Sequence, residues 1–118
     1  MAAQGDRGNL FADLATPGGR ERVDLLLARR GVRVERIVST GQATPPGEWY
    51  DQPGDEWVAL LAGRATLSFA DGRRLDLGPG DWLLIPAHAR HRVEATSVAP
   101  PCVWLAVHFA PASDRPEP

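Results

Sequence analysis

The chain has no lysine, a single cysteine and no long run of apolar residues. All 13 basic residues among the 118 are arginines, which excludes chemistry that needs a lysine Schiff base. Because Cys102 is the only cysteine, neither an internal disulfide nor a zinc cluster of several cysteines can form. No stretch reaches the roughly 18 to 20 apolar residues of a membrane span, and no apolar segment of a signal peptide follows Met1. We therefore expect a cytoplasmic protein with no membrane partner.

The charge balance gives no reason to expect a nucleic-acid partner. The formal net charge is −2 and the calculated pI is about 5.9, so no overall positive field attracts a polyanion. Hydrophobic residues make up 43% and charged residues 24% of the chain, which is typical of a globular protein. A length of 118 residues predicts one domain with one core.

The first third of the chain predicts a short amphipathic helix over residues 20–30. Val23, Leu26 and Leu27 fall at helical spacing, and cations followed by Gly31 are typical of a helix C-terminus. We divide the chain into an N-terminal arm with this helix (1–31), a barrel (32–110) and a flexible tail (111–118), the last because it has little apolar surface to offset its ordering entropy.

From Val32 to Ser39 the apolar period changes to two, which predicts a first strand. Asp71-Gly72 lies between two alternating segments and is typical of a tight antiparallel hairpin. Short strands separated by turn residues predict an all-β sandwich or barrel. The further predicted strands are 56–61, 64–70, 73–77, 82–85, 91–96 and 103–109.

Two segments, residues 49–63 and 80–93, resemble the paired motifs of the cupin superfamily, and the resemblance runs from Gly41 to Phe109. It implies an all-β cupin fold, a double-stranded β-helix or jelly-roll barrel with a small-molecule pocket. The residues that carry it are Glu56, Gly63, Gly80, Asp81, Pro86 and His91.

The resemblance also implies a divalent metal, zinc, iron, manganese or nickel, held by three histidines and a glutamate. Here Tyr50 and Gln52 stand where that pattern has two histidines, so Glu56 and His91 remain of the four. Phenol and amide oxygens are weaker ligands than imidazole. The expected ligand set is therefore Glu56, His91, Gln52 and Tyr50, with Asp51, His88 and His108 in reserve.

Strand alternation predicts which side chains point into the barrel. An inward Glu56 brings Val58 and Leu60 inward, and an inward His91 brings Val93 and Ala95 inward. An inward glutamate among apolar residues requires a metal, a hydrogen-bond partner or a raised pKa. In the last strand, Val103, Leu105, Val107 and Phe109 form one row and Trp104, Ala106 and His108 form the other. His108 points away from the pocket if the first row faces the core, and into it if the second row does. The predicted pocket residues are Trp49, Tyr50, Gln52, Val58, Leu60 and Val93.

Outward-facing Trp57 and Trp104 are unusual on a free surface. They predict a homodimer through a sheet face or, alternatively, burial under the N-terminal helix.

The leading functional hypothesis is a cupin-fold protein that binds a small molecule in the barrel pocket, with or without a divalent metal. The alternative is a metal-dependent enzyme of the dioxygenase, isomerase or lyase type that uses Glu56 and His91 as candidate catalytic groups. A third is a metal-free enzyme in which the same two residues form an acid-base pair on a sugar or keto acid.

Overall fold

The computed structural model describes residues 6–111 as two antiparallel β-sheets, so the expected tail lies almost wholly outside the described residues. A three-residue 3-10 turn, Pro17–Gly19, precedes the first strand. No helix in this part of the chain is long and apolar enough to cross a membrane. The strands are β1 (Arg22–Arg29), β2 (Val32–Ser39), β3 (Glu56–Ala62), β4 (Ala65–Phe69), β5 (Arg74–Leu77), β6 (Trp82–Ile85), β7 (His91–Thr96) and β8 (Cys102–Phe109).

The five-stranded sheet has the order β1-β2-β8-β3-β6, and the three-stranded sheet has the order β5-β4-β7. The core lies between them and is formed by apolar side chains from both, which confirms the all-β jelly-roll prediction. Seven predicted strands, β2 to β8, occur within one residue of their predicted bounds, and the β4–β5 hairpin turns at Asp71-Gly72, with Gly72 at φ 99°. The buried core cluster consists of Val58, Leu60, Ala65, Leu67, Phe69, Leu77, Ile85, Cys102, Trp104 and Ala106.

The predicted helix over residues 20–30 is wrong, because this segment is strand β1, paired with β2 from Arg22↔Val38 to Arg29↔Val32. The register shifts between Leu25 and Leu27, so one extra residue interrupts the alternation of side chains. This bulge produces the apolar spacing that looks helical in the sequence. Gly31 does not end a helix but turns the β1–β2 hairpin, at φ 79°.

Strand alternation is confirmed for β3, where Glu56, Val58 and Leu60 are all buried. It holds at the start of β7, where His91 is buried, but the prediction that Ala95 points inward is wrong. A register shift between Thr66 and Leu67 gives β7 an extra residue opposite β4, and Ala95 beyond that shift is exposed.

Trp104 also differs from its prediction, since it points inward and is only 5% exposed. Its Nε1–H donates a hydrogen bond to the Ser39 hydroxyl at 3.2 Å. Ala106, on the same side of β8, is completely buried. The Trp-bearing side of β8 is therefore the core side. Trp57 is half-buried on the opposite face of the sheet.

Arg36 in β2 attaches the N-terminal arm to the outer face of the five-stranded sheet. Its guanidinium donates to the carbonyl oxygens of Leu10, Ala12 and Asp13 and to the Asp24 carboxylate, at 2.6 Å from Nη2 to Oδ2. Although partial burial opposes it, the bonds from Arg36 and Arg22 lower the pKa of Asp24. Arg36 is 5% exposed, so its bonds are protected from competing water.

We expect Arg36→Met to lower the free energy of unfolding by about 2 to 4 kcal/mol, because it removes a buried charge and leaves its partners unpaired. Urea unfolding of this variant and of Arg74→Met, which alters an exposed arginine of β5, gives the comparison. An equal, small loss in both variants would show that the arm contributes nothing to stability.

Candidate functional site

Four side chains of the five-stranded sheet lie in one cross-strand row near an end of the barrel. The register pairs His108 of β8 with Arg33 of β2 on one side and with Glu56 of β3 on the other, and Glu56 pairs with Ile85 of β6. Paired residues in a sheet point to the same face. Because Glu56 and Ile85 are buried, this row faces the barrel interior.

Glu56 is the first residue of β3, and its side chain is 10% exposed. Among residues 6–111 its carboxylate accepts no hydrogen bond. Burial, followed by the charge of Glu35, raises the pKa of Glu56 to about 7, although the Arg33 charge opposes this shift. Glu56 therefore changes its charge near neutral pH instead of remaining an ordinary carboxylate.

His91 approaches Glu56 from the three-stranded sheet, as the first residue of β7. Its Nδ1 lies 2.9 Å from the Ala89 carbonyl oxygen, which can only accept, so Nδ1 carries the proton of the neutral ring. The lone pair is then on Nε2, which lies 3.9 Å from Oε1 of Glu56. Burial lowers the pKa of His91, although the bond to Ala89 opposes this shift.

His108 of β8 completes the group. Of the two orientations considered for β8, the structure has the one in which the Trp104 face points inward, and this brings His108 into the site. Its Nε2 lies 3.1 Å from Oε1 of Glu35 and 4.0 Å from Oε2 of Glu56. Burial, followed by the Arg33 charge, lowers the pKa of His108, although Glu35 opposes this shift. Neutral His108 therefore donates its Nε2–H to the Glu35 carboxylate.

Arg33 and Glu35 are site residues that the sequence analysis did not identify. Both lie on β2, and Arg33 Nε donates to Oε2 of Glu35 at 3.0 Å. The two alternating rows of β2 are both mixed, with an arginine in each, so neither row could be assigned to the interior. Their proximity to His108 depends on the pairing of β2 with β8, more than 70 residues later.

Glu35, His108, Glu56 and His91 thus form a polar chain at the edge of an apolar core. A neutral His91 and an ionised Glu56 would present two hydrogen-bond acceptors to each other at 3.9 Å. A proton on either group removes this mismatch, as does a ligand group that donates to both. The arrangement can hold a proton near neutral pH or bind a hydroxyl-bearing ligand.

The other predicted pocket residues are divided between the core and the rim of the barrel. Val58 and Leu60 are buried in the core, and Val93 packs against it. Trp49 is 36% exposed, with the guanidinium groups of Arg90 and Arg92 at 5.7 and 6.0 Å from its ring centroid. Gln52 lines an open cleft beside His108.

Tyr50 lies next to His91 through its backbone. The Tyr50 N–H donates to the His91 carbonyl at 2.7 Å, and the His91 N–H donates back to the Tyr50 carbonyl at 3.1 Å. The two rings are 5.5 Å apart between centroids. Partial burial, followed by the charge of Glu21, raises the pKa of Tyr50, which keeps the phenol protonated and makes it a poor metal ligand.

Asp51 and His88 form a separate pair at the rim. Nδ1 of His88 lies 2.8 Å from Oδ1 of Asp51, and both side chains are largely exposed. The His88 backbone has φ 63°, a left-handed conformation that is uncommon for a residue with a β-carbon. The His88 N–H, which donates to the Gln52 carbonyl at 2.7 Å, holds this turn in place.

The donors present do not fit the divalent metal that the resemblance implies. Within the described residues, no group of three or more histidine, cysteine, aspartate and glutamate side chains lies close enough together to hold a metal ion. Glu56 and His91 meet, but the Tyr50 phenol is protonated and His108 donates its Nε2–H to Glu35.

Comparison with solved structures finds the same architecture in several bacterial proteins. A Ralstonia eutropha JMP134 protein whose proposed activity is that of a mannose-6-phosphate isomerase is 50% identical, with a TM-score of 0.82, and the match covers 87% of this chain and 96% of that one. A cupin superfamily protein from Desulfitobacterium hafniense DCB-2 is 22% identical, with a TM-score of 0.73, over 92% of this chain and 95% of that one.

The polyketide cyclase RemF from Streptomyces resistomycificus is 20% identical, with a TM-score of 0.65, over 75% of this chain and 64% of that one. At these lower identities the likeness shows the fold alone. Among curated proteins no match is found. The family model for the cupin domain matches residues 36–108, which include the strands that carry Glu56, His91 and His108. This chain belongs to the cupin domain family.

Proposed function

We propose that this cupin binds a small molecule at the end of its barrel, with Glu56, His91 and His108 as the polar contacts. The observation that carries the proposal is their convergence. Side chains from β3, β7 and β8 lie with Nε2 to Oε distances of 3.9 and 4.0 Å around one carboxyl group whose pKa is about 7. Ligand sites in proteins are typically apolar with a few convergent polar groups.

The chemistry of these groups favours a ligand that carries hydroxyl groups. The lone pair on Nε2 of His91 accepts a hydrogen bond, and the Glu56 carboxyl group both donates and accepts below its pKa of about 7. A hydroxyl group can satisfy both at once. Ile85 beside Glu56 and Val58 further along β3 give the site an apolar wall.

A second candidate is a metal-free isomerase in which Glu56 is the general base. A base is most effective when its pKa is close to the working pH, and the pKa of Glu56 is about 7. Its carboxylate would take the proton from the hydroxyl-bearing carbon next to an aldehyde and return it to the former aldehyde carbon, while the hydroxyl proton moves to the aldehyde oxygen, so no co-reactant is consumed. The activity proposed for the 50% identical Ralstonia protein supports this candidate.

Mannose 6-phosphate and mannose are the probes that test both candidates. We expect mannose 6-phosphate to raise the melting temperature of the wild-type protein, and expect Glu56→Gln and His91→Ala to reduce the shift because both remove polar contacts. The control Glu48→Gln alters an exposed carboxylate and should retain the full shift. NMR detection of a ketose product, in samples treated with a chelator, distinguishes the isomerase from a binding protein.

Elemental analysis of dialysed protein that has not been treated with a chelator tests the metal-free arrangement. Close to one metal per chain, lost in His91→Ala, would contradict it and favour the metal-dependent enzyme. No thermal shift with either sugar would contradict the choice of hydroxylated ligands.

The raised pKa of Glu56 predicts a pH-dependent contribution to stability. The folded protein holds this proton more tightly than the unfolded chain, whose glutamate has a pKa near 4.5, so stability falls as pH rises between about 4.5 and 7. Glu56→Gln removes this loss. The free energy of unfolding of the variant minus that of the wild type should rise by about 2 kcal/mol from pH 5 to pH 8. Urea unfolding of both proteins at each pH measures this difference.

The lowered pKa values of His91 and His108 act in the opposite direction, since they reduce stability as pH falls below about 6.5, the ordinary histidine value. Both proteins contain these histidines, so their contribution largely cancels in the comparison. Glu48→Gln is again the control and should show the wild-type pH profile. A constant difference between Glu56→Gln and wild type would show that Glu56 is ionised throughout.

We also propose that the protein is a homodimer through the outer face of the five-stranded sheet. Trp57 pairs with Leu84, and the next outward pair along β3 and β6 joins Ala59 to Trp82. Trp82 is 62% and Leu84 52% exposed, and the two tryptophan rings lie 6.0 Å apart. The same apolar patch on two copies can pair about a twofold axis, and exposed aromatics of this size are typical of interfaces.

The double variant Trp82→Ser/Leu84→Ser should be monomeric at concentrations where the wild type is dimeric, as measured by analytical ultracentrifugation. The control Val98→Ser alters a side chain of similar exposure, 65%, in the turn before β8 and should remain dimeric. A wild-type monomer at every accessible concentration, or a dimer that survives the double substitution, would refute the interface.

A further inference from the structure

An open cleft of about 490 Å³ lies beside the buried polar chain, at the same end of the five-stranded sheet. Three segments form it: the β1–β2 turn, the loop of residues 52–55 and the end of β8. Its size lies within the range of small-molecule sites. The lining residues that bear on its chemistry are Arg29, Arg33, Gly54, Asp55, His108 and Phe109.

Backbone contacts hold the three walls of the cleft together. The Phe109 N–H donates to the Asp55 carbonyl at 2.9 Å, and the Ala110 N–H donates to the Gly31 carbonyl at 3.0 Å. Gly54 packs so closely against β8 that a β-carbon there would lie 1.8 Å from the Phe109 carbonyl oxygen. The cleft is therefore formed before any ligand binds, which reduces the entropic cost of binding.

Two guanidinium groups with unused donors line this cleft. Arg33 uses Nε for Glu35, and Arg29 uses Nη1 for the Ala28 carbonyl. Within residues 6–111 both Nη groups of Arg33, and Nε and Nη2 of Arg29, have no hydrogen-bond partner. Such a planar fork matches the oxygens of a phosphate or carboxylate.

The carboxylates near this cleft already have partners. Asp55, the one acidic residue in its lining, accepts a hydrogen bond from the Ala87 N–H at 2.9 Å. Glu35 accepts from both Arg33 and His108. These two carboxylates offset the charges of the two guanidinium groups, so the cleft offers an oxyanion the unused guanidinium N–H donors and no competing free carboxylate.

His108 connects this cleft to the buried site, because it lines the cleft and lies 4.0 Å from Glu56. We propose that the cleft binds the oxyanion group of a small molecule, a phosphate or a carboxylate, on Arg29 and Arg33. The inference deepens the proposed function by naming the charge of its ligand, and it rests on that function only through the shared His108.

Isothermal titration calorimetry with inorganic phosphate and, separately, acetate at low ionic strength tests the inference and distinguishes the two oxyanions. We expect Arg29→Gln and Arg33→Gln each to weaken binding of the preferred anion by about tenfold, since each removes one charge-assisted bidentate contact. Arg30→Gln is the matched control, because it removes the same charge from the same turn but Arg30 does not line the cleft.

Retention of wild-type affinity in Arg30→Gln, with loss in the other two variants, supports the site. No heat of binding from either anion in the wild type overturns it, as does an equal loss in all three variants, which would indicate general surface charge. Arg29 has no described contact with Glu35 or His108, so its variant tests the cleft without disturbing the buried chain.

Glu56→Gln separates this inference from the proposed function. Glu56 does not line the cleft, so this variant should bind the inorganic anion as the wild type does. Its response to mannose, which carries no oxyanion for the cleft, reports on the buried site alone. Loss of anion binding in Glu56→Gln would contradict a cleft site held by the two arginines.

Discussion

The registers of β8 with β2 and with β3 are the constraint on which the site depends. They place His108 between Arg33 and Glu56 in one inward row. Because side chains alternate along a strand, a slip of one residue would turn His108 to the outer face. The same registers place Trp104 and Ala106 in the core, so the hydrophobic free energy that holds the sheets together also fixes the polar chain. Site geometry and core packing cannot vary independently here.

The buried carboxyl group of Glu56 also makes the site an energetically costly part of that core. Glu56 begins the strand that continues inward with Val58 and Leu60, and burial without a hydrogen-bond partner penalises its ionised form. The neighbouring groups relieve this penalty only in part, since the Arg33 charge favours ionisation and the Glu35 charge opposes it. The charge of this one carboxyl group therefore changes readily when a ligand or a proton binds.

The sequence was sufficient for most of the fold, because seven strands alternate clearly or lie between strong turn signals. It failed where a bulge breaks the alternation, in β1 and at Ala95 of β7. It identified Glu56 and His91 because their motifs are local. It left His108 undecided, since both faces of β8 are apolar, and it missed Arg33 and Glu35, whose role comes from pairing with a strand distant in sequence.

The left-handed backbone of His88 lowers the stability of the fold at a position that carries a reactive side chain. A left-handed conformation costs a residue with a β-carbon about 1 kcal/mol, and a glycine would avoid that cost. His88 is exposed and adds nothing to the core, while its bond to Asp51 is open to water. The chain thus gives up folding free energy to keep an oriented imidazole at the rim. A glycine at this position would recover that free energy and would remove a chemical group from the rim.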